Sequence, residues 1–322
     1  MLERFKSKNS SDGTEELIED INRQIKKLNK RVKKLEKEND SYIRLFKTLY
    51  LDYELTPKGA LKTTFEICQE LLNFVDNVCK KHDITYWLDF GNLIGAVRHE
   101  GFIPWDDDMD VGMLRKDFDR FYEVVQDEIK EHNLENIITM TRNKIYGENK
   151  VIFFIQISIQ DENGNIFGGL DVFPYDYLTD DFEGIEDVFE EVKKEYKKNF
   201  FNGMEYEENI TACYEKLHLS FDKQKYIIGS FDNLRGKREV YNFEVLETDR
   251  ILPLSTVTFS GREYPCPNDI DYYLTKIYGD YMDIPKVLRF HNRLNELRKA
   301  PALKEASVEY KNILKKVNET YL

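Results

Sequence analysis

The stretch WDDDMDV is the feature that most limits how this chain can fold. Side chains alternate between the two faces of a β-strand, so a strand here places Met109 and Val111 on one face. The same strand turns Asp106, Asp108 and Asp110 to the opposite face. The pattern therefore predicts a strand with a buried apolar side and three carboxylates along its other side, an arrangement that needs a compensating partner.

A bound divalent cation would compensate this charge, because carboxylates held this close repel one another. Hard oxygen ligands suit Mg²⁺, with Mn²⁺ as the alternative ion, so we expect Asp108 and Asp110 to hold one or two ions. Asp171, an isolated charge in the apolar run at 169–174, is the expected third ligand. Two such ions stabilise both the attacking and the leaving oxygen of an in-line displacement. The expected cargo is therefore a nucleotide or a phosphodiester.

Two other structures would explain the acidic stretch, namely a solvated turn and a calcium loop. An EF-hand loop requires a glycine and a glutamate at fixed positions after its first aspartate, and this sequence lacks them. Apolar residues flank the stretch. The turn Gly91-Asn92 precedes it, between a strand predicted at 84–90 and a short helix predicted at 93–98. These surroundings favour a structured metal site over a solvated turn or a calcium loop.

The amino-terminal region carries an apolar heptad repeat. Its core positions recur at alternating intervals of three and four residues. Ile25 and Val32 are β-branched residues at a, Leu28 and Leu35 lie at d, and the polar Asn39 lies at another a position. This pattern favours a two-stranded parallel coiled coil, so we expect a homodimer through this helix. A helix packed on its own globular domain, or a basic arm on an acidic partner or anionic lipid, is the alternative. The repeat comprises Ile18, Ile21, Ile25, Leu28, Val32, Leu35, Asn39, Tyr42, Phe46 and Leu49.

The remaining patterns predict an α+β fold, a mixed sheet with flanking helices behind an amino-terminal coiled-coil helix. The Asn-Gly turn at 163–164 predicts a hairpin over 151–174. We expect five regions: a disordered tail at 1–13, the coiled-coil helix at 14–52, a core at 56–180, a helical insertion at 181–250 and a carboxyl-terminal part at 251–322 that completes the core domain. Further predicted elements are a helix beginning at Thr56-Pro57, a helix over 118–129, helical structure over 181–235, a hairpin at 256–264, and helices at 268–278, at 286–300 and from 301.

The composition excludes several classes of binding partner. The chain has 47 Lys and Arg against 60 Asp and Glu, a net charge of −13, which argues against binding to nucleic-acid backbones. Its apolar runs are too short to span a bilayer, and the amino terminus lacks the apolar segment of a secretory signal. The four cysteines have no zinc or redox spacing. We therefore expect a cytoplasmic protein, with at most peripheral contact at the inner face of the membrane.

The stretch LDFGNLIGAVRHEGFIPWDDDMDV at 88–111 closely resembles the signature of the LicD family, which includes bacterial phosphocholine transferases and fukutin-type transferases. The segment YGDYM at 278–282, followed by Pro285, resembles a later motif of that family. The resemblance covers roughly residues 60–290. It implies a nucleotidyltransferase-like fold for the core, in which a Gly-Ser-like turn precedes the aspartate pair. Asn92 stands where serine is usual.

The resemblance also implies an activity. It implies Mg²⁺-dependent transfer of phosphocholine from CDP-choline to a sugar hydroxyl of a cell-surface glycan (teichoic acid, lipopolysaccharide or capsule) or its precursor, with release of CMP. Asp108, Asp110 and Asp171 match the metal ligands, and either Asp171 or Asp106 would accept the proton of the acceptor hydroxyl. The insertion at 181–250 is the expected acceptor region. The expected substrate contacts are Gly91, Asn92, Arg98, His99, Arg115, Tyr278 and Tyr281.

Two alternatives to phosphocholine transfer stay open. A transferase of another alcohol phosphate, from CDP-ribitol or CDP-glycerol, would use the same carboxylates. An inactive nucleotide-binding scaffold in a glycan-assembly complex is the alternative of another class. A choline headgroup would need an aromatic cage, and tyrosines cluster in the carboxyl-terminal part. These tyrosines are Tyr264, Tyr272, Tyr273, Tyr278 and Tyr281.

Overall fold

The computed structural model describes residues 12–51, 56–146, 150–180, 183–230, 244–283 and 301–321. The chain divides into two units, one ending at Leu55 and the other starting at Thr56. Most of the expected tail at 1–13, Pro285 and the helix expected at 286–300 lie outside the described residues. Among the described helices, none is both long and apolar enough to cross a membrane.

The amino-terminal unit contains one long helix, α1 (Asp12–Leu51). The long helix predicted from the heptads is therefore confirmed, although it begins two residues before the expected boundary. Its apolar positions between Ile18 and Leu35 have exposed fractions of 46 to 57%. The pairing of this helix with another one stays a prediction.

The second unit is built around a mixed sheet in the order β1-β2-β7-β6-β3. Strands β2 and β7 run parallel, and the other neighbours along this path run antiparallel. The predicted α+β class is confirmed. The strands are β1 (Trp87–Leu88), β2 (Asp110–Leu114), β3 (Ile138–Thr141), β6 (Ile155–Gln160) and β7 (Ile166–Leu178), and a separate hairpin joins β4 (Lys144–Tyr146) to β5 (Lys150–Ile152).

Helices α2 (Ala60–Lys81) and α4 (Arg115–Glu131) pack on this sheet, and a carboxyl-terminal helix, α9 (Pro301–Asn318), packs on α2. The approach of α2 to β7 is close, because a Cβ atom at Gly168 would lie 2.8 Å from the Cys68 sulfur. Apolar residues of these elements form one continuous core. A short 3₁₀ turn, Glu319–Tyr321, follows α9.

The region expected as a helical insertion contains α5 (Ile185–Phe201) and α6 (Tyr206–Leu217), which pack on each other over a second apolar cluster. The helical prediction is wrong over its later part, where Leu219–Ser220 forms β8 and Tyr226–Gly229 forms β9. Both strands pair with the second half of β7. The backbone of Tyr226–Gly229 therefore forms its hydrogen bonds within the sheet.

The carboxyl-terminal part adds small elements to the same unit. β10 (Val245–Glu247) pairs with β9, and α7 (Thr248–Ile251) follows it directly. The hairpin predicted at 256–264 is confirmed as β11 (Ser255–Phe259) and β12 (Arg262–Cys266), with Gly261 in the left-handed region at φ +80°. Helix α8 (Ile270–Tyr278) comes next.

Two predicted boundaries are wrong in the region that leads to the site. Helix α2 begins at Ala60 after Gly59, which adopts φ +61°, so Thr56 and Pro57 lie before the helix. The strand expected at 84–90 is reduced to β1, because the Asp89 side chain caps a helix that already begins at Phe90. This helix is α3 (Phe90–His99).

Candidate active site

Two neighbouring strands bring the predicted carboxylates together. Asp110 is the first residue of β2, and Asp171 lies directly opposite it in the parallel register with β7. The Asp171 amide donates to the Met109 carbonyl oxygen at 2.7 Å, which fixes this register at its start. Paired strands lie about 4.8 Å apart, so the two aspartates are close neighbours.

The other acidic residues reach the site from a loop. β2 begins only at Asp110, so the expected strand alternation of Asp106 and Asp108 with Asp110 is wrong. Asp106, Asp107 and Asp108 instead form a compact cluster in which one carboxylate oxygen of each lies within 4.8 Å of the others. The expected burial of Met109 and Val111 is correct, and it anchors the end of this loop in the core.

Two carboxylates of the site, Asp106 and Asp110, have raised pKa values. Removal from water raises the pKa of Asp110 well above its usual value, and the charges of Asp108, Asp171 and Asp106 raise it further. Burial also raises the pKa of Asp106, followed by the charges of Asp108 and Asp107. Each ionised carboxylate therefore raises the free energy needed to ionise the next one. A cation placed among these groups would lower that free energy.

The first turn of α3 borders the carboxylates. A Cβ atom at Gly91 would lie 2.6 Å from Asp106 Oδ2, so only glycine fits there without displacing the aspartate. Asn92 is buried, and its Oδ1 accepts a hydrogen bond from the Asp110 amide at 3.1 Å. Its Nδ2 has no hydrogen-bond partner among the described residues, which leaves a donor for a ligand. The expected turn at Gly91-Asn92 is thus the beginning of a helix.

Asp89 holds this helix start, and the sequence analysis did not single it out. Its carboxylate accepts hydrogen bonds from the Phe90 amide at 2.7 Å, from Tyr273 at 2.6 Å and from Tyr175 at 2.7 Å. Burial raises the pKa of Asp89 to about 6, although these donors oppose the shift. Phe90 adopts φ +38°, a left-handed conformation that the surrounding bonds maintain. An aspartate directly before Phe-Gly-Asn is a typical N-cap, and that signal could have predicted the earlier helix start.

Arg98 and His99 lie at the other end of α3. Arg98 Nη1 donates to the backbone oxygens of Tyr281 at 3.3 Å and Asp283 at 3.2 Å, so it ties α3 to the later motif. Arg98 Nε donates to His99 Nε2 at 3.1 Å. Burial and then the Arg98 charge lower the pKa of His99 to about 4, so its imidazole is neutral at physiological pH. Trp105 packs beside both side chains.

Arg115 does not fit its expected role in substrate binding. It is 2% exposed and forms a two-pronged ion pair with Asp176, with Nε–Oδ1 and Nη2–Oδ2 distances of 3.0 and 3.1 Å. It also donates to the Ser230 hydroxyl. Arg115 borders a cavity of about 320 Å³ together with Lys116 and Lys223, but its guanidinium group serves the ion pair. The structure therefore assigns Arg115 to the framework behind the site.

The carboxyl-terminal tyrosines have different positions. Tyr264 and Tyr273 are fully buried, and their hydroxyls hydrogen-bond to Asn73 and Asp89. These two residues are core side chains and cannot wall an open choline cage. Tyr278 is half-buried against the core, and Tyr281 donates to Asp271 at 3.0 Å. Tyr272 is half-buried as well.

Gln156 on β6 is another contact that the sequence analysis missed. Its Nε2 donates to Asp171 Oδ1 at 3.2 Å, from the strand position directly opposite Asp171. This bond orients one oxygen of the third carboxylate. The alternation of polar and apolar residues along β6 carries the signal, because it places Gln156 on the same face as Asp171.

The set of donors fits a hard divalent cation. Asp108, Asp110 and Asp171 offer carboxylate oxygens, which Mg²⁺ and Mn²⁺ prefer over nitrogen or sulfur ligands. The raised pKa of Asp110 has the cause that a cation would remove, namely neighbouring negative charge on a desolvated group. These residues are of the type that the expected metal needs. Among the described residues, however, the acidic oxygens that lie within 4.8 Å of one another are those of Asp106, Asp107 and Asp108. Metal binding by Asp108, Asp110 and Asp171 stays a prediction.

Comparisons with known proteins agree with this arrangement. Residues 83–211 match the model of the LicD/FKTN/FKRP nucleotidyltransferase domain. The lipopolysaccharide cholinephosphotransferase LicD of Haemophilus influenzae is 28% identical over 241 residues, which cover 68% of this chain and 90% of that protein. Human ribitol 5-phosphate transferase FKRP is 41% identical over 49 residues, 15% of this chain and 10% of FKRP. An uncharacterized Rickettsia typhi protein is 30% identical over 140 residues, 42% of this chain and 41% of that protein.

The domain match includes Gly91 on α3, Asp108 in the loop before β2, Asp110 on β2 and Asp171 on β7. The LicD relative extends the similarity over most of the chain. The resemblance to the LicD family found in the sequence is confirmed, and residues 83–211 match the nucleotidyltransferase domain of that family.

Proposed function

We propose that this protein transfers phosphocholine from CDP-choline to a sugar hydroxyl of a cell-surface glycan or its precursor. The observation that carries the proposal is the pairing of Asp110 with Asp171 across two parallel strands, next to the acidic loop and the glycine turn. The cholinephosphotransferase activity named for the LicD relative supports the choice of phosphocholine. The reaction takes place in the cytoplasm, at most in contact with the inner face of the membrane.

Asp108, Asp110 and Asp171 hold Mg²⁺ in this proposal. Mg²⁺ held by these residues would supply the positive charge that neutralises the diphosphate of the donor. The chain's own residues position the donor: the Asn92 amide donates from its Nδ2 to a phosphate oxygen, and Gly91 leaves room for the Asp106 carboxylate beside the helix start. Hydrogen bonds hold Gly91 and Asn92 in place before the donor binds, because the Asp89 carboxylate and the Asp110 amide both bond to the first turn of α3.

The chemical step is an in-line displacement at the phosphorus that carries choline. The sugar oxygen forms a bond to that phosphorus, the bond to the bridging oxygen breaks, and CMP leaves with that oxygen. We assign Asp106 as the acceptor of the hydroxyl proton, because its carboxylate lies beside Asp108 and stands outside the three proposed ligands. Asp171 is the alternative base, and Gln156 would then orient it through its donated hydrogen bond.

Transfer of a polyol phosphate is the second candidate. Two observations favour it: Tyr264 and Tyr273 are core residues, so fewer tyrosines remain for a choline cage, and FKRP is named as a ribitol 5-phosphate transferase. Tyr272, Tyr278 and Tyr281 are only half-buried and remain candidates for that cage.

A screen of donors tests the proposal. The full chain is titrated by calorimetry with CDP-choline, CDP-ribitol and CDP-glycerol in Mg²⁺ and in EDTA, and CMP release is then measured with a panel of methyl glycosides. We expect Mg²⁺-dependent binding and CMP release with CDP-choline, and neither in the Asp108→Asn variant. Turnover with CDP-ribitol but not CDP-choline would establish the second candidate. Binding of a donor without CMP release from any of them would support the scaffold alternative.

A further inference from the structure

Helix α1 presents an apolar stripe to its surroundings along most of its length. A helix of 40 residues is about 60 Å long. The apolar side chains at successive a and d positions lie near half exposure, and the described residues of this unit belong to that helix alone. A stripe of this length needs a partner to cover it. Its most regular part comprises Ile18, Ile21, Ile25, Leu28, Val32 and Leu35.

The width of the stripe favours another helix over a lipid surface. Positions e and g beside the seam are polar from Asn22 to Glu38, so over this part the apolar face is only as wide as a coiled-coil seam, and it widens at Ile43 and Leu45. A helix that lies in a membrane interface needs a broader apolar face. The outer positions b, c and f carry the basic residues instead. These are Lys26, Lys27, Lys30, Lys33, Lys34 and Lys37.

The charges beside the seam specify the partner. In a parallel pair, a g residue faces the e residue five positions later on the other helix. Arg31 at g therefore faces Glu36 of a second copy, and the twofold symmetry of a homodimer makes this attractive contact twice. The preceding pair is Gln24 with Asn29 and the following pair is Glu38 with Ile43, so neither places like charges opposite each other.

Asn39 specifies the direction. In a parallel, in-register pair, this a position faces itself, and the two side-chain amides can hydrogen-bond to each other. An antiparallel pair would set Asn39 against an apolar d residue and bury its amide without a partner. Val32 and Ile25 at a, with Leu28 and Leu35 at d, match the choice that favours two strands.

We propose that α1 pairs with α1 of a second copy of this chain as a parallel, in-register, two-stranded coiled coil. The heptad repeat and the narrow seam over 22–38 favour a helix as the partner, and the Arg31–Glu36 complementarity and the Asn39 layer favour the same parallel register. The proposal concerns the amino-terminal unit only, and it holds whether or not the protein transfers phosphocholine.

Light scattering of the full chain tests the pairing. We expect twice the 38.4 kDa of one chain for the wild type and the mass of one chain for the double variant Ile25→Asp, Leu28→Asp. The matched control is Lys27→Asp with Lys30→Asp, which adds two carboxylates on the outer face and should leave the dimer intact. A wild-type chain that is monomeric at micromolar concentration, or an equal loss of association in the control, would overturn the proposal.

A charge exchange tests direction and register. Arg31→Glu alone and Glu36→Arg alone each place like charges across the parallel seam, so each variant should dimerise several-fold more weakly. A mixture of the two variants restores both attractive contacts and should form the heterodimer preferentially. Equal populations of homodimers and heterodimers in that mixture, measured by native mass spectrometry, would rule out this register.

A third measurement separates lipid from protein as the occupant. Vesicles of phosphatidylcholine alone and vesicles with added phosphatidylserine are sedimented with the wild type and with the Ile25→Asp, Leu28→Asp variant. We expect the dimer to remain in the supernatant with neutral vesicles and to retain its mass in solution. Binding of single chains through the apolar stripe would instead identify a lipid surface as the occupant and contradict the proposed pairing.

Discussion

Strand β7 carries two aspartates, five residues apart, in opposite electrostatic surroundings. Asp176 is fully buried, and it accepts two hydrogen bonds from Arg115 and one from Tyr214. Asp171 lies opposite Asp110, and its charge raises the pKa of that carboxyl. A buried carboxylate is stable only with a compensating cation or donors. The chain supplies its own cation to Asp176, and the proposed Mg²⁺ would serve Asp110 and Asp171 in the same way.

Asp110→Asn tests the pair Asp110 and Asp171, and we expect the largest effect on activity from this variant. Loss of a proposed metal ligand should lower CMP release by at least about a thousandfold, which corresponds to about 4 kcal/mol of activation free energy. Folding stability in metal-free buffer should stay the same or rise, because the repulsion that raises the pKa of Asp110 is relieved.

Calorimetry with Mg²⁺ and urea unfolding in EDTA give the two readouts for Asp110→Asn. Asp108→Asn should behave in the same way. A variant that binds Mg²⁺ like the wild type but has lost several kcal/mol of unfolding free energy would show that Asp110 is a structural residue.

Asp176→Asn is the matched substitution on the other side of the comparison, and its effect should fall on stability. It leaves the buried Arg115 guanidinium without its counter-charge, which typically costs about 3–5 kcal/mol of unfolding free energy. Urea unfolding measures this loss. Lys116→Ala is the control, because it removes an ion pair with Asp222 in which both side chains are well exposed, and it should cost less than about 1 kcal/mol. Equal losses of unfolding free energy in the two variants would contradict the framework role of the Arg115–Asp176 ion pair.

Glu128 is a third carboxylate in this comparison, and it predicts a pH dependence. Burial alone would raise the pKa of Glu128, but hydrogen bonds from Lys81, Tyr321 and His82 lower it to about 2. The unfolded chain has the ordinary value near 4.5, so the folded state releases this proton more readily. The stabilisation is therefore complete above about pH 5 and disappears as the pH falls toward 2.

Glu128→Gln should cost about 2 kcal/mol of unfolding free energy at pH 7, the order expected for hydrogen bonds to a charged group. The difference from the wild type should shrink steadily between pH 5 and pH 2.5. Unfolding free energies at several pH values check this expectation. A difference that stays constant over this range would mean that the charge of Glu128 contributes nothing.

The same contrast explains what the sequence could predict. The apolar alternation around Met109 and the Asn-Gly turn are local signals, and they predicted β2 and the β6–β7 hairpin. Asp171 could be chosen because a single charge in an apolar strand needs a reason. The carboxylates of the site are thus visible in the sequence, because their lack of neutralising neighbours is itself the signal.

The framework behind the site was not predictable from local pattern. Arg115 at the start of α4 pairs with Asp176 on β7, which lies 61 positions later in the sequence. Asp89 accepts a hydrogen bond from Tyr273, which lies 184 positions later. Both partners become neighbours only through the parallel pairing of β2 with β7 and the return of α8. Arg115 next to the acidic strand therefore suggested a phosphate contact. Only the fold distinguishes that role from a buried ion pair.

Tyr273→Phe has the smallest expected effect and tests whether Asp89 belongs to the framework or to the site. The substitution removes one of the donors to Asp89 and leaves Tyr175 and the Phe90 amide in place. The expected loss is about 1 kcal/mol of unfolding free energy, the ordinary worth of one buried hydrogen bond. If Asp89 acts by fixing the start of α3, the Michaelis constant for the donor should also rise, with little change in turnover number. Tyr321→Phe is the control, because it removes a hydroxyl that donates to the framework residue Glu128, so it should lower stability and leave the Michaelis constant unchanged. A change in stability without a change in the Michaelis constant would place Asp89 with Asp176, as a framework carboxylate only.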